Sequence, residues 1–317
     1  MTNARLRLAF ASGRVDGNHV SPANPLLLEN VGNLPVPHTP PRSWARHSPM
    51  TELVARARLT APALPRVGGL LIVERNAMVY RRTWLILFSG FFEPLFYLFF
   101  FVYPLQGVRD VTVTIGGQTL EYAAFVAPAL LASSAMNGAF YDATNVFWKL
   151  RYGKVYESIL STPVGPKDVA SGETMWAVCR ALIYSTAFLL VISLLGLVDS
   201  WWALLALPAC FVIGFGFAGA GIAAVTWMRS WQDFDLVQLV MLPMFLFSAT
   251  FYPISVYPTV LEWVVRCLPL YHGIELVRSL TTGTVGPFQL VNVAYLVTMG
   301  LVGMFIASRR IDKLLLT

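Results

Sequence analysis

A chain of 317 residues that is 56% hydrophobic and only 13% charged carries about half the charge of a soluble domain. Its apolar residues gather in runs of about twenty, the length that crosses a bilayer as helix, so it reads as an all-α polytopic membrane protein partnered by lipid. The net charge of +6 does not point to nucleic acid, because the basic residues sit in particular loops, and Cys179, Cys210 and Cys267 lack disulfide or metal-ligand spacing.

Residues 1–65 are a different material. Pro22, Pro25, Pro35, Pro37, Pro40, Pro41 and Pro49 break them repeatedly, with polar residues between. Such a segment buries too little apolar surface to fold and is expected to be a disordered cytoplasmic tail. No apolar core of signal-peptide length follows the early arginines, and Met50 is a second candidate start. Residues 66–317 form the expected membrane domain.

Residues 66–83 set Leu70, Leu71, Val73, Met78 and Val79 against Glu74, Arg75, Arg81 and Arg82. That is an amphipathic helix lying in the interface, or an extension of the first span. The first span covers 84–103 and is interrupted by Glu93-Pro94. Its phenylalanines (Phe88, Phe91, Phe92, Phe96, Phe99, Phe100 and Phe101) either face lipid or wall a path for an apolar substrate. Residues 106–121 are a polar outer loop with β character. Residues 122–146 are the second span, with Asn137, Asp142 and Asn145 inside.

Residues 147–173 are the most charged connector between two apolar blocks, made basic by Lys149, Arg151, Lys154 and Lys167. Within it, 151–160 fits a short amphipathic helix with Val155, Ile159 and Leu160 on one side. Pro163 and Pro166 are expected to stop it. Such a helix suits a docking surface for a soluble partner; the plainer reading is a solvated connector.

The third span, 174–198, carries Arg180. Trp201 and Trp202 follow in a tight turn at headgroup level. The fourth span is 203–227 and the fifth 234–252. Residues 255–286 are too short and too interrupted to cross twice. One helix opens at Pro258 and ends before Pro269, passing Cys267. A second, 271–282, carries Glu275 and Arg278 and is closed by Gly283. Together they suggest a re-entrant or outer-surface hairpin. The sixth span is 288–308.

The loops on the amino-terminal side hold Arg66, Arg75, Arg81, Arg82, Lys149, Arg151, Lys154, Lys167, Arg229, Arg309, Arg310 and Lys313. The other side holds only Arg109, Arg266 and Arg278. The positive-inside rule then places both termini in the cytoplasm, in an inner membrane.

Several motifs are excluded. Gly214-Phe-Gly216-Phe-Ala-Gly219 matches a dinucleotide fingerprint by letters, but sits mid-span without a preceding strand. Gly214, Ala218, Gly219 and Gly221 are better read as small residues that let helices approach. There is no phosphate-binding loop, so any ATP and magnesium would be bound by another chain, and no cofactor is expected in this one. His272 and Glu275, one turn apart, do not make a metal site. Glu93 lies about 14 Å inward of residue 84 and Arg180 about 10 Å inward of Glu173, at roughly 1.5 Å per residue. Similar depth predicts an ion pair between the first and third spans.

Taken together, these features resemble the type-2 ABC exporter permeases. Arg151-Tyr-Gly-Lys-Val-Tyr-Glu-Ser-Ile-Leu-Ser-Thr-Pro163 looks like the family's loop that docks in its ATPase. Phe251-Tyr-Pro-Ile254 and Leu268-Pro-Leu-Tyr-His-Gly-Ile-Glu-Leu-Val-Arg278 look like its outer hairpin. The resemblance covers 66–317 and is nearest to the nodulation lipo-oligosaccharide and drug-efflux branch. It implies six spans, a separate nucleotide-binding ATPase subunit, a second permease copy and an amphipathic substrate. It places the ATPase contact at Arg151, Tyr152, Gly153, Val155, Tyr156, Glu157 and Leu160. An ion-coupled transporter would instead use Glu93, Asp142 and Arg180 deep in the bundle. A membrane transferase would need clustered His, Asp or Glu at one membrane face, which the sequence lacks.

Overall fold

The computed structural model describes residues 68–83, 92–102, 104–105, 112–115, 118–153, 155–162, 164–198 and 200–316. The expected tail, the start of the first expected span, Arg109, Lys154 and Pro163 lie outside these.

Helix α1 is Gly68–Arg82. Helical residues 92–96 lead into a π-helical turn, Tyr97–Val102. Strands β1 (Thr112–Ile115) and β2 (Gln118–Glu121) pair antiparallel, Thr112 opposite Glu121. There follow α2 (Tyr122–Arg151), the short α3 (Val155–Leu160) and α4 (Pro166–Leu194). A 3-10 turn, Trp201–Leu205, precedes α5 (Ala206–Trp227) and α6 (Asp233–Phe247). Two short helices, α7 (Thr259–Cys267) and α8 (Pro269–Thr282), precede α9 (Gln289–Leu316).

Among the described residues, Tyr122–Arg151, Pro166–Leu194, Trp201–Trp227 and Gln289–Leu314 are long and apolar enough to cross a bilayer. At 15 residues, α6 is shorter.

Of the boundaries that differ from the sequence expectation, two have a clear local reason. The second expected span does not stop at Val146. α2 runs on to Arg151, and the chain turns where the Trp148 carbonyl accepts the N–H groups of both Tyr152 and Gly153. Only Val155–Leu160 forms the connector helix. Pro166, expected as a stop, is the first residue of α4. There its missing N–H costs no hydrogen bond. The Asp168 carboxylate accepts the Gly165 N–H at 3.0 Å, closing the cap. At the far end, Gly283 takes φ +76° and ends α8 as expected.

The small residues of α5 are where its neighbours come closest. A Cβ at Gly214 would fall 2.7 Å from that of Ala181 on α4. A Cβ at Gly219 would lie on the Gly300 carbonyl of α9, and one at Gly303 would strike the Gly219 backbone. Gly221 faces Ala143 of α2, and Ala218 is fully buried. Beside a small cluster of Ala249, Val265 and Tyr271, two large apolar clusters result. The larger is built around α2, α4, α5 and α8. The smaller gathers Ile72, Phe147, Tyr156, Val169, Met228, Phe234 and Ile311 where α2 ends and α4 begins. This second end also carries Lys149, Arg151 and Arg310, and is called the basic end below.

Candidate functional site

At the basic end, polar side chains recur along three otherwise apolar helix faces. α1 offers Asn76 and Tyr80, α2 offers Asp142, Asn145 and Lys149, and α4 offers Glu173, Arg180 and Tyr184. Spacings of three, four and seven place each set on one helical face. The faces meet, and the polar groups satisfy one another in two layers.

The first layer centres on Glu173, which is fully buried. Its carboxylate accepts Asn76 Nδ2 at 2.9 Å, Lys149 Nζ at 2.8 and 2.9 Å, and the Tyr156 hydroxyl at 3.0 Å. Lys149 also donates to Asn76 Oδ1 at 3.1 Å. One carboxylate on α4 therefore joins α1, α2 and α3. Burial, and then the Glu173 carboxylate beside it, hold the Tyr156 hydroxyl well above its ordinary pKa. It stays a neutral donor.

The second layer lies about two turns deeper. Arg180 Nη1 reaches Asp142 Oδ1 and the Tyr80 hydroxyl, each at 3.3 Å, and Arg180 Nε donates to the Tyr184 hydroxyl at 3.1 Å. Tyr80 donates to Asp142 at 3.2 Å, and Asn145 donates to Tyr80 at 2.6 Å. The guanidinium sits between the Tyr80 and Tyr184 rings, 5.5 Å from each centroid. The two ion pairs cross α2 and α4 in opposite senses: cation on α2 in the first, cation on α4 in the second.

The expected Glu93–Arg180 pair is therefore not the pair that forms. Arg180 takes Asp142, while Glu93 accepts from Asn137 at 3.4 Å and Tyr141 at 3.1 Å. Tyr141 and Asp142 are consecutive, so their side chains point about 100° apart around α2. Equal depth left the two acids equivalent, and the rotation of α2 separates them.

The residues expected at a partner contact also divide. Tyr156 is 1% exposed and faces inward, its hydroxyl on Glu173 rather than at the surface. Arg151, Tyr152 and Gly153 are exposed, and Val155 is half-buried. Arg151 also donates to the Met228 carbonyl at the end of α5, at 3.0 Å. The side chains of Glu157 and Leu160 lie outside the described residues. Ser158, Ser161 and Thr162 complete the exposed face. Beside it, Leu71, Arg75, Val155, Ile159 and Thr162 line a groove of about 570 Å³ between α1 and α3. Across the turn, Trp148 and Tyr152 stack at 5.0 Å, with more than half of each ring side chain exposed. Asp233 opens α6, where the Arg229 and Ser230 N–H groups hold its carboxyl below the usual range.

At the other end, Arg278 is 5% exposed. It donates to the Ala249 carbonyl at 2.8 Å and the Phe125 carbonyl at 3.3 Å, and its guanidinium lies 4.0 Å over the Phe125 ring. Ala249 has φ 57°, so Arg278 ties down a strained turn after α6. Glu275 approaches it at 3.9 Å. Pro258 precedes α7, Pro269 begins α8, and Cys267 between them is exposed. His272 bonds Asn292 at 2.7 Å and stacks on Tyr295, which is a packing role.

The sequence reading missed Asn76, Tyr80, Lys149 and Glu173 as site residues. Their signal was the helical spacing of polar groups on apolar faces, visible only when three helices are compared together.

Comparison with known proteins matches residues 69–282 to the ABC-2 type transporter family, from the second residue of α1 to the last of α8. Nodulation protein J of Rhizobium meliloti (strain 1021) is 29% identical over 233 residues, 72% of this chain and 87% of that protein. Its counterpart from Rhizobium leguminosarum bv. trifolii is 31% identical over 229 residues, 70% and 84% of the two chains. The Neorhizobium galegae protein is 26% identical over 234 residues, 71% and 86%. With span-length apolar helices and a family match across most of its length, the chain belongs to the ABC-2 type transporter family and is a membrane permease.

Proposed function

We propose that this chain is the transmembrane subunit of an ATP-driven exporter in the inner membrane. Six spans cross, with the basic end and both termini cytoplasmic, and α7 and α8 form a hairpin at the outer surface. Two permease copies, or this chain and a related one, enclose the path. Separate ATPase subunits bind ATP and magnesium and dock at α3 and the turn before it. The substrate is amphipathic: a lipid-linked sugar, a glycolipid or an apolar drug. The likeness to the nodulation branch favours the sugar-bearing kinds.

The observation that carries this reading is the Tyr156–Glu173 bond. α3 is too short to be stable alone, yet a buried tyrosine ties it to a carboxylate shared by α1, α2 and α4. A force on the exposed side of α3 therefore reaches those helices directly. An exposed loop that served only to connect would leave its tyrosine in solvent.

Two substitutions separate docking from transmission. Ser158→Arg adds bulk and charge on the exposed face, so the ATPase subunit should no longer co-purify with a folded permease. Tyr156→Phe removes one buried hydrogen bond, about 1 kcal/mol. It should keep the ATPase bound while export per ATP hydrolysed falls severalfold. Undiminished export in both variants rules the mechanism out.

A further inference from the structure

α5 and α9 cross at Gly219, Gly300 and Gly303, and on one side of that crossing they leave a groove of about 680 Å³. Its walls include Ala220 and Ala223 of α5 and Thr298, Val302 and Ile306 of α9. The small α5 side chains leave the space open, and Thr298 and Val302 are exposed. Apart from Thr298 and Tyr295, whose hydroxyl is engaged by the Cys267 carbonyl, the lining is apolar. The groove follows α9 from Val291 to Ile306, about 22 Å at roughly 1.5 Å per residue. One leaflet of hydrocarbon is about 15 Å deep, so a whole acyl chain fits along it.

At the basic end the groove runs out onto cations. One helical turn past Ile306 come Arg309 and Arg310, and one turn past Ala223 comes Trp227. The Arg310 guanidinium lies 4.5 Å over the Trp227 ring, and its Nη2 donates to the Thr226 carbonyl at 3.4 Å. Among the described residues that is its only hydrogen bond from five N–H donors, and Nε is enclosed without an acceptor. Arg309 is exposed and lies 4.3 Å over the Phe305 ring. Lys149 and Arg180 are each matched by an acid, but among the described residues neither Arg309 nor Arg310 forms an ion pair, even with Asp312 of the same turn.

An apolar groove of chain length that ends on two unpaired arginines matches the layout of a phospholipid, chain first and then phosphate. The headgroup it favours is net negative, since a choline would set its own cation beside the arginines. A second copy fits poorly. A twofold axis along the membrane normal keeps like residues at like depth, so its Arg309 and Arg310 would face these with no acid between them.

We propose that the α5–α9 groove holds an anionic phospholipid of the basic-end leaflet, with its phosphate on Arg309 and Arg310 and one acyl chain along Thr298, Val302 and Ile306. Guanidinium donors bond phosphate oxygens in charge-assisted pairs, and basic pockets between spans hold anionic headgroups in this way. The bound lipid bridges the ends of α5 and α9. The site needs only that these two helices cross the bilayer, so it stands apart from the ATPase reading.

The test places the full-length permease in phosphatidylcholine nanodiscs doped with a phosphatidylglycerol that carries a diazirine in one chain. Cross-links are mapped by peptide mass spectrometry, and no ATPase is needed. Labelling is expected in the peptides holding residues 220–227 and 298–306, and unlabelled phosphatidylglycerol should compete. Arg309→Gln should cut that labelling about fivefold, the weight of one arginine against an anionic headgroup. Val302→Trp fills the groove and should abolish it without touching the arginines. Ile183→Trp, on the exposed face of α4, is the control and should leave it unchanged. The proposal is overturned by equal labelling from the matching phosphatidylcholine probe, by even labelling of all lipid-facing peptides, or by undiminished labelling of Val302→Trp. An unlabelled groove overturns it too, and cross-linking of Val302→Cys between two chains would then identify a second copy as the occupant.

Discussion

At the scale of single residues, the basic end depends on charges that are stable only in pairs. Taking an ion from water into a protein interior costs several kcal/mol, which a well-bonded partner offsets. Glu173 has that partner in Lys149, along with Asn76 and Tyr156. Lys149→Met leaves the carboxylate buried without its cation and should cost about 3–5 kcal/mol. Adding Glu173→Leu to Lys149→Met should recover part of that loss. The same cycle applies to Asp142→Asn and Arg180→Gln, read as the midpoint of thermal unfolding in detergent. Glu93→Gln combined with Arg180→Gln should show additive losses, because those two side chains do not touch. Strong coupling in that pair, and none between Asp142 and Arg180, would contradict the arrangement.

At the scale of elements, the fold is held by close helix crossings as well as by these pairs. Apolar contact between helices gives little drive in lipid, so shape governs association. α5 and α9 approach until Gly219 meets Gly300 and Gly303. A methyl at Gly219 strikes a backbone carbonyl, which cannot rotate away as a side chain would. Gly219→Ala should therefore destabilise by about 1–3 kcal/mol, the usual range for overpacking. Gly286 has nothing within 4 Å of an added Cβ, so Gly286→Ala is the matched control and should leave the unfolding midpoint unchanged. Equal midpoints for both variants would mean that the α5–α9 crossing is looser than described. The short helices follow another rule. α7 and α8 are held between prolines, Gly283 and the Arg278 contacts. Neither has the length to span a bilayer at 1.5 Å per residue.

At the scale of the whole molecule, the proposed orientation makes the ends chemically distinct. The cysteines report on it: Cys210 is buried, Cys179 lies within α4, and Cys267 is exposed at the end opposite Lys149. With the basic end in the cytoplasm, a membrane-impermeant maleimide applied from outside should label Cys267 in intact cells. A Cys267→Ser variant should then take up no label. Labelling of Cys267 only in inverted vesicles would reverse the topology, moving the α3 surface away from any cytoplasmic ATPase.

What the sequence alone determined is whatever depends on position along one helix axis. Run length identified the membrane class, glycine and alanine placement marked the α5 crossings, and prolines with Gly283 located the two short helices. What the tertiary structure decided is rotation about those axes. Glu93 and Asp142 reach comparable depths, and only the way α2 turns gives Arg180 the second rather than the first. Tyr156 lies in the connector as expected, but the roll of α3 turns it inward to Glu173. Pro166 begins a helix instead of ending one because the Asp168 carboxylate is there to close the cap. A hydrophobic run carries no record of which of its faces meets a given neighbour. In this chain that choice is made by polar groups from α1, α2 and α4 that can be satisfied only together.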